Sequence, residues 1–318
     1  MSKVTTRPGQ APASTVPTTW ERLDERFDAV DGDSLTERIA SGCRWTEGGT
    51  YLPASRSFVW SDIPNDRLLR WDELTGETGV FRSPAAYPNG STLDGEARLV
   101  TCEQGPRRVT RTEHDGSITV LADRFEGKRF NSPNDVVVDR SGRVWFTDPA
   151  YGISSDYEGF QAEPEMDGRH VYRIDPDGAC HRVTDDFDQP NGLALSLDET
   201  QLYVVDSGRR HLRVFDVTED GGLTGGRELA ACTAGTFDGI RLDSTGRIWA
   251  AAGDGVHCLH PDGTLLGQLM LPEVVANLTF GGLKRNVLFA CATTSVYLVM
   301  LNVTGAPGPY AAAPRIAG

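Results

Sequence analysis

Short alternating segments recur along the chain at a spacing of ~40–50 residues, and this recurrence limits the fold more than any single motif does. VVVD at 136–139 is followed by VWFTD at 144–148, LALSLD at 193–198 by LYVVD at 202–206, and IRLD at 240–243 by IWAAA at 248–252. Branched and aromatic residues at every second position predict strands. Two sets of turns separate them. Ser141-Gly142, Asp198-Glu199 and Thr245-Gly246 join a first strand to a second, and Thr75-Gly76, Asp115-Gly116, Asp177-Gly178 and Asp262-Gly263 join a third to a fourth. Such dipeptides supply the positive φ of tight hairpins. Each unit is therefore a four-stranded meander, and 35 glycines and 18 prolines in 318 residues suit a chain that turns this often.

Aligned on their first strands, the units start at Glu47-Gly48, Asn89-Gly90, Asn134-Asp135, Asn191-Gly192, Asp238-Gly239 and Asn277-Leu278, between 39 and 57 residues apart. Six such units predict an all-β fold, a six-bladed β-propeller with four-stranded antiparallel blades. The widest gap comes from a 23-residue insertion, 148–170, between the second and third strands of the third blade. With Tyr151, Tyr157 and Glu158 in it, the insertion suits a lid over the entrance that sets substrate preference. An open ring would leave sheet edges unpaired, so a strand within 21–46 is expected to complete the last blade. The predicted division is a disordered N-terminal tail at 1–20, an arm with the ring-closing strand at 21–46, the propeller at 47–303 and a C-terminal tail at 304–318. The helix-like WERLDERF at 20–27 belongs to the arm.

In a propeller the innermost strand of each blade lines the central channel, and its first residue sits at one mouth. Here those residues are Glu, Asn, Asn, Asn, Asp and Asn, with no Lys, Arg, His or Cys among them. Turn dipeptides alone account for Asn-Gly and Asp-Gly, but the hairpins inside the blades already use a separate set. If the six side chains converge, two carboxylates 4 Å apart repel by about 4 kcal/mol in an effective dielectric near 20, which calls for a positive charge between them. A hard cation held by Glu47, Asn134, Asn191 and Asp238 balances them. The oxygen-only set suits Ca²⁺ better than Mg²⁺, which demands a tighter octahedron.

The rest of the composition narrows the partners. A net charge of −14 repels nucleic acid and anionic membrane surfaces. No run approaches a membrane span, and the first residues lack the apolar segment of a secretion signal, so the expected location is cytoplasmic. Cys43, Cys102, Cys180, Cys232, Cys258 and Cys291 are scattered singly and read as core thiols.

The stretches WTEG at 45–48, FNSPNDVVVDRSGRVWFTDPAYGI at 130–153, QPNGLALSLDETQLYVVDSG at 189–208, FDGIRLDSTGRIWAAAGDGVH at 237–257 and VVANLTFGGLKRNVLFACATTS at 274–295 carry a resemblance. Together they resemble the SMP-30/gluconolactonase family of six-bladed propeller lactonases. The resemblance implies an axial divalent cation, commonly Ca²⁺, on Glu47, Asn134, Asn191 and Asp238, the four residues that the charge argument selects. It also implies that Asp238 is the general base for water attack on a lactone. One departure is visible: the family's usual Glu-Gly-Pro is Glu47-Gly48-Gly49 here.

The expected activity is therefore metal-dependent opening of a small-molecule lactone such as gluconolactone. Zn²⁺, Mn²⁺ and Mg²⁺ stay open beside Ca²⁺, as does the oligomeric state. Two other readings stand beside it. One is a phosphotriesterase similar to diisopropylfluorophosphatase, using the same four ligands. The other is a non-catalytic binding propeller stabilised by Ca²⁺. Asn89 and Asn277, at the other two blade starts, are expected either to bind substrate hydroxyls or to be structural. Loops joining second to third strands, with Asp62, Glu103, Asp148 and Asp206, should rim the same mouth, and substrate or supporting contacts are expected from Asp148 and Asp206. No G-x-S-x-G elbow is present. His257 and His260 read as structural or surface residues.

Overall fold

The computed structural model describes residues 14–30 and 34–312. Among them, six antiparallel sheets of four or five strands surround one axis. The innermost strands are Thr46–Leu52, Pro88–Leu93, Val136–Val138, Pro190–Leu195, Ile240–Leu242 and Val275–Gly281. Each lies against the next, and the last lies against the first, which closes the ring. The predicted six-bladed propeller is the observed fold. Gly142, Glu199 and Gly246 turn the first hairpins with φ between 62° and 87°, and Gly76, Gly116, Gly178 and Gly263 turn the last ones with φ between 70° and 93°.

Both ends of the chain meet in the sixth blade. Its three inner strands come from 275–300, and its fourth, Thr36–Ser41, pairs antiparallel with Ser295–Met300. Two more N-terminal strands extend the sheets outward. Ser14–Val16 pairs with Thr36–Ser41, and Thr19–Arg22 pairs with Leu265–Met270 of the fifth blade. The expected disordered tail at 1–20 is corrected for 14–16 and 19–20, which are strands; 1–13 lie outside the described residues. The helix-like 20–27 begins as strand because the open edge at Leu265–Met270 offers main-chain partners. Trp20 and Phe27 then pack against Trp249, with ring centroids 6.4 and 6.3 Å away, while Leu23 stays exposed.

The core lies between blades. Trp60, Trp145 and Trp249, on the second strands of blades one, three and five, are fully buried. In blades three and five a buried aspartate staples this hairpin. Asp139 accepts the Ser141 and Arg143 N–H at 2.9 Å and the Trp145 Nε1–H at 3.1 Å. Asp243 does the same for Thr245, Arg247 and Trp249. Cys43, Cys102, Cys258 and Cys291 are buried as expected, but Cys180 and Cys232 are only partly buried. At the far mouth of the channel, the Ala306 N–H bonds to Leu242 O at 2.9 Å, and residues 306–310 help line a cavity that all six inner strands share.

Candidate active site

Glu47, Asn89, Asn134, Asn191, Asp238 and Asn277 all stand where an inner strand opens at one mouth, and all but the half-buried Asp238 are buried. Four of these strands depart from regular register at that point, between Glu47 and Thr50, Pro88 and Ser91, Pro190 and Leu193, and Val275 and Asn277. Such irregularities re-aim a side chain. The glycine after each of four of these residues has a further reason. A Cβ on Gly48 would strike Asn89 O, one on Gly90 would meet Asn134 O and Asp135 Oδ1, one on Gly192 would strike Asp238 O, and one on Gly239 would come within 2.7 Å of Asn277 Cγ. The dipeptides are therefore required by the close approach of neighbouring blades at the neck. Only Gly48, with φ of 58°, also needs the left-handed backbone.

The neck is acidic. Burial raises the Glu47 carboxyl above its ordinary range, and the Asp135 charge adds to this, while bonds from Asn277 and its neighbour Gly48 oppose it. Burial also raises Asp238, followed by the charges of Glu47, Asp135 and Glu158, against a hydrogen bond with Asn191. Asp238 Oδ1 is buried without a hydrogen-bond partner, as is Asn89 Oδ1. An unpaired buried acceptor is costly, so this neck is built for a positive or proton-bearing visitor.

Two residues with no role assigned from the sequence stand beside the neck. Asp135 takes the Val136 N–H at 2.9 Å and two bonds from Arg241, at 3.1 and 3.3 Å. This pair joins the inner strands of blades three and five across the channel. Ser207 accepts a bond from Asn191 Nδ2 at 3.0 Å and donates one to Phe237 O at 2.8 Å, tying the fourth blade to the residue before Asp238. The available signals were a charged residue inside the inner strand IRLD and the Asp of Asn134-Asp135 where four other blades have glycine.

Asp148 and Asp206 end the second strands of their blades, and of the supporting and substrate contacts expected of them the structure shows bonds to the protein's own main chain. Both are fully buried. Asp148 accepts the N–H groups of Asn131 and Ser132 at 2.8 Å, and Asp206 accepts those of Asp188 and Gln189 at 2.9 and 3.0 Å. Asp62 likewise takes the Arg44 N–H at 2.9 Å. Each of these carboxylates ends the second strand of its blade and pins the chain two or three residues before that blade's neck residue: Asn134, Asn191 or Glu47. They are braces. Asn277 also turns inward on the protein, since its Oδ1 accepts the Leu278 N–H at 2.8 Å. His257 is buried, not superficial, and bonds Asp254 at 2.8 Å beneath Phe237.

The insertion forms one helical turn, Tyr151–Ser154, and a loop folded back on it. The Ala162 N–H bonds to Ile153 O at 3.0 Å, and Gly159 packs on Gly152 O so closely that a Cβ there would clash. Burial and then the Asp238 charge raise the Tyr151 hydroxyl, with Ser207 and Asn191 opposing. Tyr157 is exposed. Glu158 is half-buried near Glu47 and Asp238, and burial pushes its carboxyl up to about 7.

Known proteins are similar to this chain in sequence and fold. A gluconolactonase of Zymomonas mobilis is 31% identical over 312 residues, covering 89% of this chain and 86% of that one. A pentonolactonase of Haloferax volcanii is 31% identical over 265 residues, covering 78% and 81%. The solved structure of a gluconolactonase of Xanthomonas campestris superposes with a TM-score of 0.86 at 36% identity, covering 92% of this chain and 99% of that one. The family model for the SMP-30/gluconolactonase/LRE-like region matches residues 45–294, which span every neck residue from Glu47 to Asn277. By this match and by the fold that carries it, the chain belongs to the SMP-30/gluconolactonase/LRE-like family.

Proposed function

We propose that the protein is a lactone hydrolase that opens polyhydroxylated sugar lactones at a divalent-cation centre on the propeller axis. The observation that carries this reading is the placing of the buried Glu47 and the half-buried Asp238 where two inner strands open at one mouth, with an Asp238 oxygen that is buried and lacks any partner. Their fit to a cation follows from the donors. Among the described residues no three His, Cys, Asp or Glu side chains gather as a metal site. The neck instead offers two carboxylates and amide oxygens, a hard set that suits Ca²⁺ and disfavours a soft ion. Glu47, Asn134, Asn191 and Asp238 would hold it. The Asn191 amide nitrogen bonds Ser207 at 3.0 Å, and its Oδ1 is the oxygen that it would offer a cation.

When bound, such an ion polarises a carbonyl oxygen and neutralises the two carboxylates. The residues do the remainder. Asp238 takes a proton from the attacking water at its free oxygen and returns it to the ring oxygen as the carbon–oxygen bond breaks, so lactone and water leave as one hydroxy acid. Its burial keeps it basic enough for that task. The Gly48 N–H steadies Glu47, and Ser207 steadies Asn191.

The test is a pH-indicator screen of lactones with metal-stripped protein, re-added Ca²⁺, Zn²⁺, Mn²⁺ or Mg²⁺, and Asp238→Asn. Turnover of an aldonolactone that needs the ion and Asp238 supports the proposal. Preference for a fluorophosphate ester moves the site to phosphotriester chemistry. Ca²⁺ that raises the melting temperature while no ester is consumed leaves a binding propeller.

A further inference from the structure

Asp135 directly follows the neck residue Asn134, yet its buried carboxylate is fully occupied by the protein. Oδ1 takes the Val136 N–H at 2.9 Å and Arg241 Nη2 at 3.3 Å, and Oδ2 takes Arg241 Nη1 at 3.1 Å and the Leu193 N–H at 3.4 Å. These donors stand on the inner strands of the third, fifth and fourth blades. The second blade closes in as well, since a Cβ on Gly90 would come within 2.7 Å of Asp135 Oδ1. Asp238 is in the opposite state, with its Oδ1 buried and unpartnered.

Arg241 makes the difference. It supplies two of the four bonds and the only charge among the donors. Among the described residues, Asp135 is the one carboxylate within ion-pair distance of it. Arg241 also lines the cavity at the far mouth, so the pair lies between that cavity and the neck. At the same place in the other five inner strands stand Thr50, Thr92, Val137, Ala194 and Phe280, none of them charged. Burying a guanidinium there is costly, and a fold that needed only packing would use an apolar side chain.

We infer that Arg241 is a positioning residue that sets the charge of the neck: by holding Asp135 it leaves two carboxylates for the ion, Glu47 and Asp238, and so matches the site to a divalent rather than a trivalent cation. This rests on the divalent-cation reading and adds to it the residue that fixes ion charge. A guanidinium is always charged and grips a carboxylate through two N–H groups at once. Affinity at an oxygen site follows the charge of its ligands, and a fixed charge acts on an ion in proportion to the ion's own charge. Removing the guanidinium therefore favours a 3+ ion over a 2+ ion of similar size. Loss of shape alone weakens both together.

The experiment titrates metal-stripped full-length protein with Ca²⁺ and with Tb³⁺ by calorimetry, in wild type, Arg241→Met, Arg241→Lys, Asp135→Asn and the double variant Asp135→Asn/Arg241→Met. The ratio of Tb³⁺ to Ca²⁺ affinity should rise about tenfold in Arg241→Met, stay near wild type in Arg241→Lys, and return to wild type in the double variant. In Asp135→Asn, which leaves the guanidinium uncompensated, it should fall by a similar factor. Equal weakening of both ions in Arg241→Met, with the wild-type ratio, overturns the inference and leaves the pair as a structural tie. A ratio that rises as far in Arg241→Lys as in Arg241→Met overturns it too. Melting curves identify a variant that fails to fold, and the nearly isosteric Asp135→Asn then decides by its opposite shift. Wild type that binds neither ion overturns the cation reading itself, whereas wild type that binds them with a ratio insensitive to every substitution overturns only the role of Arg241.

Discussion

Two sets of carboxylates stand at strand ends facing one mouth of the propeller, and they behave in opposite ways. Asp148 and Asp206, at the ends of second strands, are saturated with main-chain N–H donors. Glu47 and Asp238, at the starts of first strands, crowd each other and leave an oxygen unpaired. Burial is common to both, so burial alone does not mark function. Whether the protein itself supplies the compensating donors does: the outer set is finished by folding and the inner set waits for something from solution.

Several measurements can break this contrast. The largest effect is expected for Asp238→Asn, which should lower kcat on a sugar lactone by about 10³-fold or more without lowering the melting temperature of metal-free protein. A destabilised variant would move Asp238 into the structural set. Asp148→Ala should cost about 3 kcal/mol in urea unfolding, because the Asn131 and Ser132 N–H groups lose their acceptor. A loss below about 1 kcal/mol would remove Asp148 from the braces. Gly90→Ala should weaken Ca²⁺ binding by about tenfold in calorimetry, since the new Cβ presses on Asn134 and Asp135.

The smallest effect sharpens the electrostatic side. Glu47 and Asp238 are raised in the folded state, so above the ordinary carboxylate range the folded protein keeps protons that the unfolded chain releases. Stability of metal-free protein should then fall as pH rises from about 5 to 8, the reverse of a salt-bridged carboxylate. Saturating Ca²⁺ should flatten that slope, and its binding should release protons. Denaturant melts across this range check the sign, and a rise with pH would mean that the pair is already compensated.

The repeat, the blade number and the identity of the neck residues were legible because hairpins advertise themselves through glycine at positive φ, and because six short oxygen-bearing residues recur in phase. The outer N-terminal strands were not. Trp20, Leu23 and Phe27 have helical spacing, and nothing local reveals the vacant edge at Leu265–Met270 that captures 19–22 as strand. For Asp148 and Asp206 the sequence left supporting and substrate contacts side by side, since a strand's end is fixed by pattern while the donors its carboxylate meets come from another segment. Asp135 and Arg241 are 106 residues apart and meet only across the channel.

By itself, then, the chain's pattern determined that strands of this length must form six blades and that their inner ends carry oxygen donors without a cation among them. What tertiary structure alone decided is which of those buried acceptors find partners. That depends on the approach of segments distant in the chain to within hydrogen-bond range, and no local spacing encodes it. The same packing left Glu158 half-buried and Tyr157 exposed, although the two are adjacent in the same loop.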